Sequence, residues 1–195
     1  MNLGDLTLRL QTDAGVFSAE RVDAGTQVLL AEAPPPPPAG ELLDLGCGYG
    51  PIALTLALRA PRARVWAVDV NERALELTRS NAGDAGLGNV VAALPDEVPS
   101  EVRFDAIYSN PPVRIGKAAL HETLLRWLPR LAPGAPAYLV VQTHLGSDSL
   151  ARWLAEQGFR VRRLASKRSY RVLEVTEGGP HQPPSAGRPA GRGED

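Results

Sequence analysis

Sulfur is scarce in this 195-residue chain: one cysteine, Cys47, and a single methionine. A lone cysteine excludes an internal disulfide, and with only three scattered histidines no ligand spacing for a metal ion appears. No apolar run approaches the length of a bilayer-spanning helix. The opening "MNLGDLTLRLQTD" lacks the basic-then-apolar order of a signal peptide, so a cytoplasmic protein without a membrane partner is expected. The formal net charge of -1 gives no global pull toward nucleic acid, and any such binding needs a local patch. What remains is ordinary for a folded domain: 44% apolar and 22% charged residues, in a chain long enough for one full hydrophobic core.

The opening segment reads as two short strands and a helix from about Ala24 to Ala33, followed by five consecutive prolines, Pro34 to Pro38. These cannot continue a helix and form a short stiff spacer. Residues 1–38 are therefore expected to be an N-terminal extension. From Glu41 short apolar strands alternate with helices: "ELLDLG", "GPIALTLALRA", "ARVWAVDV", "NERALELTRSNAGDAG", "NVVAAL", "FDAIYS", "KAALHETLLRWLPRL", "APAYLVVQT" and "SDSLARWLAEQG", the last opened by a Ser or Asp cap. Two successive strands, "FRVRRLAS" and "SYRVLEVT", close the folded part. The pattern predicts an α/β domain over 39–176, a doubly wound, mostly parallel seven-stranded sheet with an antiparallel edge pair. Residues 177–195, rich in Gly and Pro without apolar periodicity, read as a disordered tail.

"LLDLGCGYGPIAL" places a glycine-rich turn between a strand and a helix. Gly46, Gly48 and Gly50 let the backbone turn sharply and approach a ligand, though a tight turn without a ligand would use the same residues. The G-x-G-x-G spacing, with Asp44 in front, departs from the G-x-G-x-x-G dinucleotide fingerprint. Asp44 should turn its charge toward the cavity and suit a cationic or zwitterionic ligand better than a phosphate. About twenty residues on, "VWAVDV" ends at Asp69, where an acid hydrogen-bonds a ribose diol. Capping of the next helix is the competing role for Asp69, but Asn71 and Glu72 are available for it. Together these residues imply an adenosine-bearing ligand at the carboxyl ends of the strands.

With "SNPP" after the fourth strand, the chain resembles the class I S-adenosylmethionine-dependent methyltransferases, whose fold is Rossmann-like. "TDAGVFSAERVDAGTQVLL", "SNPPVRIGK" and "SYRVLEV" narrow the resemblance to the catalytic domain of the guanine-N2 methyltransferases of small-subunit ribosomal RNA and its small stand-alone relatives, over about Leu6 to Val175. The resemblance implies S-adenosylmethionine as cofactor. It implies cofactor contacts at Asp44, Gly46, Cys47, Gly48 and Gly50 in the loop, at Asp69 and Val70 after the second strand, at Leu94 after the third, and at Asn110. Many class I enzymes carry an acid at the position of Leu94 to bond adenine; here Asp96 or backbone groups would have to serve.

The resemblance also implies that Asn110 Oδ1 and the Pro111 carbonyl accept hydrogen bonds from an exocyclic NH2. Its lone pair is delocalised into a ring, and the two acceptors draw the nitrogen toward tetrahedral geometry. Prolines stiffen the loop, so the acceptors are placed before reaction. Asn accepts without carrying charge. Substrate contacts are expected from Phe17, Pro112, Val113, Arg114 and Lys117. Many relatives have an aromatic residue where this chain has Val113, which leaves Phe17 as a candidate for stacking. The implied partner is RNA, ribosomal in this family. The fuller ribosomal enzymes carry a second docking domain, so a homodimer or a different substrate is the alternative here. Methylation of a protein glutamine amide, which uses the same Asn-Pro-Pro logic, and a non-catalytic cofactor- or RNA-binding protein are the rivals. Arg160, Arg162, Arg163, Lys167, Arg168 and Arg171 form either a phosphate-binding patch or a solvated edge. Trp66, Trp127 and Trp153 are expected in the core, and His144 near the site.

Overall fold

The computed structural model describes Leu8 and residues 10–12, 22–111 and 116–178. The two strands expected before the first helix fall mostly outside that set, as does the tail from 179 onward. Helix α1, Ala24–Glu32, starts where Asp23 folds its carboxylate back onto the N–H groups of Gly25 (2.8 Å) and Thr26 (3.2 Å), a capping interaction that satisfies two of the helix's orphan donors. After the prolines the chain alternates β1 (Ala39–Leu45), α2 (Pro51–Arg59), β2 (Arg62–Val68), α3 (Glu72–Asp84), β3 (Val90–Ala93), β4 (Ala106–Ser109), α4 (Lys117–Trp127), β5 (Ala137–Gln142) and α5 (Ser147–Glu156). It ends in the hairpin β6 (Phe159–Lys167) and β7 (Tyr170–Glu177).

The seven strands form one sheet in the order β3-β2-β1-β4-β5-β7-β6. β1 to β5 pair parallel, and β7 is antiparallel to both of its neighbours. The fold class and the antiparallel edge pair read from the alternation are therefore those of the structure. Successive side chains of a strand face opposite ways, and the sheet accordingly separates two cores. Leu42, Val65, Ala67, Tyr108 and Val140 pack with α1, α2 and Leu75 of α3 on one face. Leu43, Leu45, Trp66, Ile107, Leu139 and Leu173 pack with Leu120, Leu124 and Trp127 of α4 and Leu150 and Leu154 of α5 on the other. The N-terminal helix belongs to the first of these cores: Val28, Leu29 and Leu30 are buried in it.

Two helix ends differ from expectation. The α4 segment leaves α-helical geometry at Leu128 and finishes as a 3-10 turn, Leu128–Arg130, because Pro129 has no N–H for the ladder. Helix α5 is preceded by Gly146 in the left-handed region (φ 98°) with no side-chain cap. Ser147 is instead buried, its hydroxyl facing Arg171 Nη1 at 3.2 Å. Trp66 and Trp127 are core residues, while half-buried Trp153 stacks on His121 with ring centroids 3.6 Å apart.

Phe104 is fully buried beneath Trp127, their centroids 6.0 Å apart. Phe104→Ala is expected to destabilise the fold by about 3–5 kcal/mol, read as a lower urea midpoint with an unchanged slope.

Candidate active site

Between β1 and β4 the order of connections reverses. The crossover after β1 leads to β2 on one side and β4 pairs on the other, so no helix covers the strand ends there, and open α/β sheets bind ligands at such a point. A cavity of about 550 Å³ lies there, within the usual 300–1,000 Å³ of small-ligand sites. Its lining comes from the turn after β1, the ends of β2 and β4, the starts of α1 and α3, one side of α4 from Leu120 to Trp127, and the end of β5 with the start of β7.

The turn after β1 is held from both sides. The N–H groups of Gly46 and Cys47 donate to Val68 O (2.8 and 3.0 Å), and that of Gly48 donates to Asp69 Oδ2 (2.9 Å). From behind, Thr78 Oγ1 donates to Gly48 O and Asn81 Nδ2 to Tyr49 O, each at 2.9 Å, from two buried polar side chains of α3. Gly46, Gly48 and Gly50 all have positive φ (76°, 57° and 94°), which explains the glycines. A Cβ on Gly48 would meet nothing within 4 Å: that face of the turn is open to whatever enters. Cys47 lines the cavity but is buried. Its Sγ lies 3.6 Å from Gly48 O and 3.8 Å from Thr78 Oγ1, and burial, followed by the nearby Asp44 and Asp69 carboxyls, pushes the thiol pKa well up.

Asp69 is half-buried on the cavity wall. Besides Gly48, it accepts from Asn71 N–H at 3.0 Å through Oδ1, while Asn71 takes the capping role for α3. The next residue, Val70, lines the cavity and is 82% exposed. Leu94 is not on the wall. Its side chain packs on the first core and its N–H donates to Glu97 (2.7 Å), because the chain turns immediately after β3, and Pro95 lines the cavity instead. Asp96, its suggested substitute, is exposed and pairs with Arg126.

Asp44 departs most from expectation. Rather than turning a charge to the cavity, it faces the first core beneath α2, fully buried. Oδ2 accepts from Ala53 N–H at 2.8 Å and Oδ1 has no partner among the described residues. Desolvation raises its pKa to about 8, against the lowering effect of the Ala53 bond and with a smaller raising contribution from Asp69, so the group is mostly neutral at pH 7. Asp44 shares with Leu42 the side of β1 that α2 covers, and burial there disfavours the charged carboxylate.

Asn110 follows β4 and lines the cavity with Pro111. Its Nδ2 donates to Asp23 Oδ2 (2.7 Å) and Thr26 Oγ1 (3.1 Å), both on the cavity wall at the start of α1. The described residues include no donor to its Oδ1. Opposite, Tyr170 and Gln142 are paired across β7 and β5, with Gln142 Nε2 donating to Tyr170 Oη at 2.8 Å. Asp23, Thr26, Gln142 and Tyr170 were not singled out from the sequence. The signal for the first two was present in "DAGT", an Asp cap before a helix. Phe17, Pro112, Val113 and Arg114 lie outside the described residues. Lys117 is exposed at the first position of α4, and His144 is exposed and not on the cavity wall. Of the six basic residues near the chain's end, Arg162 pairs with Glu174, Lys167 with Glu32 and Arg171 with Asp148.

Backbone amides and glycine carbonyls on one side, an acid one strand away and an apolar shelf at Val70 suit a nucleoside better than a string of phosphates. Among the described lining residues the one cationic side chain is Arg126 of α4, and it is already tied to Asp96 and to Pro95 O. This is the arrangement of the class I S-adenosylmethionine-dependent methyltransferases. The chain belongs to the methyltransferase small domain family, whose model matches residues 7–174, and S-adenosylmethionine is its cofactor. It is 35% identical over 167 residues to the uncharacterized protein YbxB of Bacillus subtilis (strain 168), covering 84% of this chain and 83% of that one. With Ribosomal RNA small subunit methyltransferase C of Aeromonas hydrophila it shares 43% identity over 115 residues, 58% of this chain and 32% of the relative. Among solved structures, the T. thermophilus 16S rRNA N2 G1207 methyltransferase in complex with AdoMet and guanosine superposes with a TM-score of 0.68 at 27% identity, over 84% of this chain and 45% of that one. The chain thus spans about a third to a half of the length of the ribosomal RNA enzymes it matches.

The buried carboxyl of Asp44 yields a pH prediction. Its folded pKa lies above the unfolded value, so its contribution to stability is whole below about pH 4, declines as pH rises toward 8 and stays lost above. Asp44→Asn removes that decline. The difference in melting temperature between variant and wild type is expected to move in the variant's favour from pH 5 to pH 8 and then level off; a pH-independent difference would contradict a neutral Asp44.

Proposed function

We propose that this protein methylates an exocyclic aromatic NH2, with guanine N2 in ribosomal RNA as the substrate. The observation that carries the reading is the state of Asn110: its amide nitrogen is committed to Asp23 and Thr26, which leaves the oxygen as the amide atom available to a donor in the cavity. An NH2 group is such a donor. Two neutral acceptors, Asn110 Oδ1 and the Pro111 carbonyl, would accept hydrogen bonds from its two N–H groups and turn its lone pair out of conjugation. Neither acceptor has to reorganise, since one is held by α1 and the other belongs to a proline loop. Bound in the cavity, S-adenosylmethionine would supply an electrophilic methyl group: the N–CH3 bond would form as the S–CH3 bond breaks, the sulfonium would leave as a neutral thioether, and the nitrogen would lose one proton to solvent.

On the cofactor side, Asp69 is suited to the ribose diol. Each carboxylate oxygen already accepts one backbone N–H and keeps a further acceptor site, and those bonds hold the side chain aimed. The backbone of Gly46, Cys47, Gly48 and Gly50 would follow the cofactor's chain, and Val70 with Pro95 would flank the adenine. Asp44 supports the turn from below as a neutral group. The Leu94 amide, already used by Glu97, is not available to the adenine.

The resemblance to ribosomal RNA enzymes and the match to a structure solved with guanosine favour guanine over a protein amide. Arg168 adds to this at the rim. It stands in the β6–β7 turn with φ 49°, beside Ser169 at 64°, two residues from cavity-lining Tyr170, and makes no ion pair among the described residues.

Three outcomes check the reading. Incubated with labelled cofactor and separate RNA and protein fractions, the protein is expected to label RNA, with nucleoside mass spectrometry showing N2-methylguanosine. Asp69→Ala should weaken cofactor binding by about 1.5–3 kcal/mol in calorimetry, and unchanged affinity would remove the ribose role. Asn110→Ala should cut turnover by roughly a hundredfold or more while cofactor affinity stays near wild type.

A further inference from the structure

We propose that Asp23 is a positioning residue for Asn110, selecting the amide orientation that offers oxygen rather than nitrogen to the acceptor amine. The inference rests on the proposed amine chemistry and adds to it a residue far off in sequence, at the mouth of the N-terminal helix. An asparagine amide is nearly symmetric in shape, and a loop alone does not decide which end points where. With Nδ2 toward the cavity, two donors would confront each other and the amine would be repelled. A carboxylate decides the matter, because it can only accept. Asp23 Oδ2 stands 2.7 Å from Asn110 Nδ2. Turned over, the amide would bring two acceptor oxygens to that separation with no proton between them. Thr26, 3.1 Å away, can donate or accept and so does not discriminate on its own.

Asp23 is in turn immobilised. The same Oδ2 accepts from the Gly25 and Thr26 N–H groups, where the helix terminus favours negative charge. Helix α1 is anchored by Val28, Leu29 and Leu30 in the first core. Its start is pressed against the opposite wall of the cavity: a Cβ on Gly25 would come within 2.7 Å of Tyr170 Cε1. The path from core to acceptor oxygen thus runs through α1, Asp23 and the Asn110 amide. A negative charge behind the amide also polarises it, which makes Oδ1 a stronger acceptor.

Asp23→Ser separates capping from positioning. Serine is as good a cap as aspartate, but its shorter side chain withdraws from Asn110. Asp23→Asn keeps an acceptor at the same reach, because the Gly25 and Thr26 N–H groups that cap onto this side chain select its oxygen rather than its NH2. Two readouts are taken on the full chain. The first is the side-chain NH2 signal of Asn110 in a 15N correlation spectrum, identified by its loss in Asn110→Ala; it needs no substrate. The second is methyl transfer to guanine-bearing RNA. Expected is a shifted, faster-exchanging Asn110 NH2 in Asp23→Ser, with kcat lowered about 10- to 100-fold while cofactor affinity and melting temperature stay near wild type. Asp23→Asn should recover most of that loss, and adding Asp23→Ser to Asn110→Ala should cost nothing further. The proposal is overturned if the Asn110 signal is indifferent to Asp23→Ser, if kcat is unchanged, or if the two substitutions lower kcat independently. Wild-type protein inactive on guanine would sink the substrate reading alone, and the NMR signal would still decide the tether.

Discussion

The reversal of strand order between β1 and β4 is the constraint on which the site depends. Right-handed crossovers carry the chain from β1 through α2 to β2 on one side and from β4 through α4 to β5 on the other. The two helices therefore lie on opposite faces and leave the carboxyl ends of the central strands uncovered. What fills that gap is determined by which residues happen to end the strands: a glycine turn after β1, Asp69 after β2, Asn110 after β4. Three parallel strands share one register, Leu45 of β1 beside both Val68 of β2 and Ser109 of β4, so the three features open at one level of the sheet.

Around the gap the polar groups form a scaffold rather than a random lining. Asn81 and Thr78 are buried in α3, an unfavourable place for polar atoms without partners, and both spend their donors on carbonyls of the glycine turn. Asn81 also exchanges hydrogen bonds with the backbone of Gln11, 70 residues away. Ser109 closes the same layer by donating to Leu45 O. The turn is thus pinned by hydrogen bonds at its back while its front, at Gly48, stays open. A stiff frame around a vacant face is what a preorganised binding site requires.

Much of this could be read in the order of residues. The alternation of short apolar strands with helices specified the sheet, and the two closing strands its antiparallel edge. Glycine spacing, Asp69 and Asn-Pro-Pro marked the end of the sheet where the cavity opens, because those residue types are tied to backbone geometry and to the strand termini. Asp44 was misread for a reason periodicity does conceal: an acid one residue before a loop can face solvent or core, and only the packing of α2 shows which. Leu94 was assigned by counting along a strand whose end turns one residue sooner than supposed. Asp23 was invisible as part of the site, since its contact with Asn110 spans 87 residues and joins a segment that looked like an extension to the centre of the sheet. The basic run near the C-terminus looked like a patch, but half of its members meet acids on neighbouring strands or helices, partners that a linear reading cannot pair.

The chain's single sulfur nucleophile sits in the cofactor turn itself, and its setting makes it a poor one. Cys47 is enclosed, faces a carbonyl and a hydroxyl, and is flanked by acids that oppose loss of its proton. Peroxide and carbon electrophiles react with thiolates far faster than with thiols. Held in its protonated form, this side chain is the less reactive kind of neighbour for any electrophile that enters over the open face of Gly48.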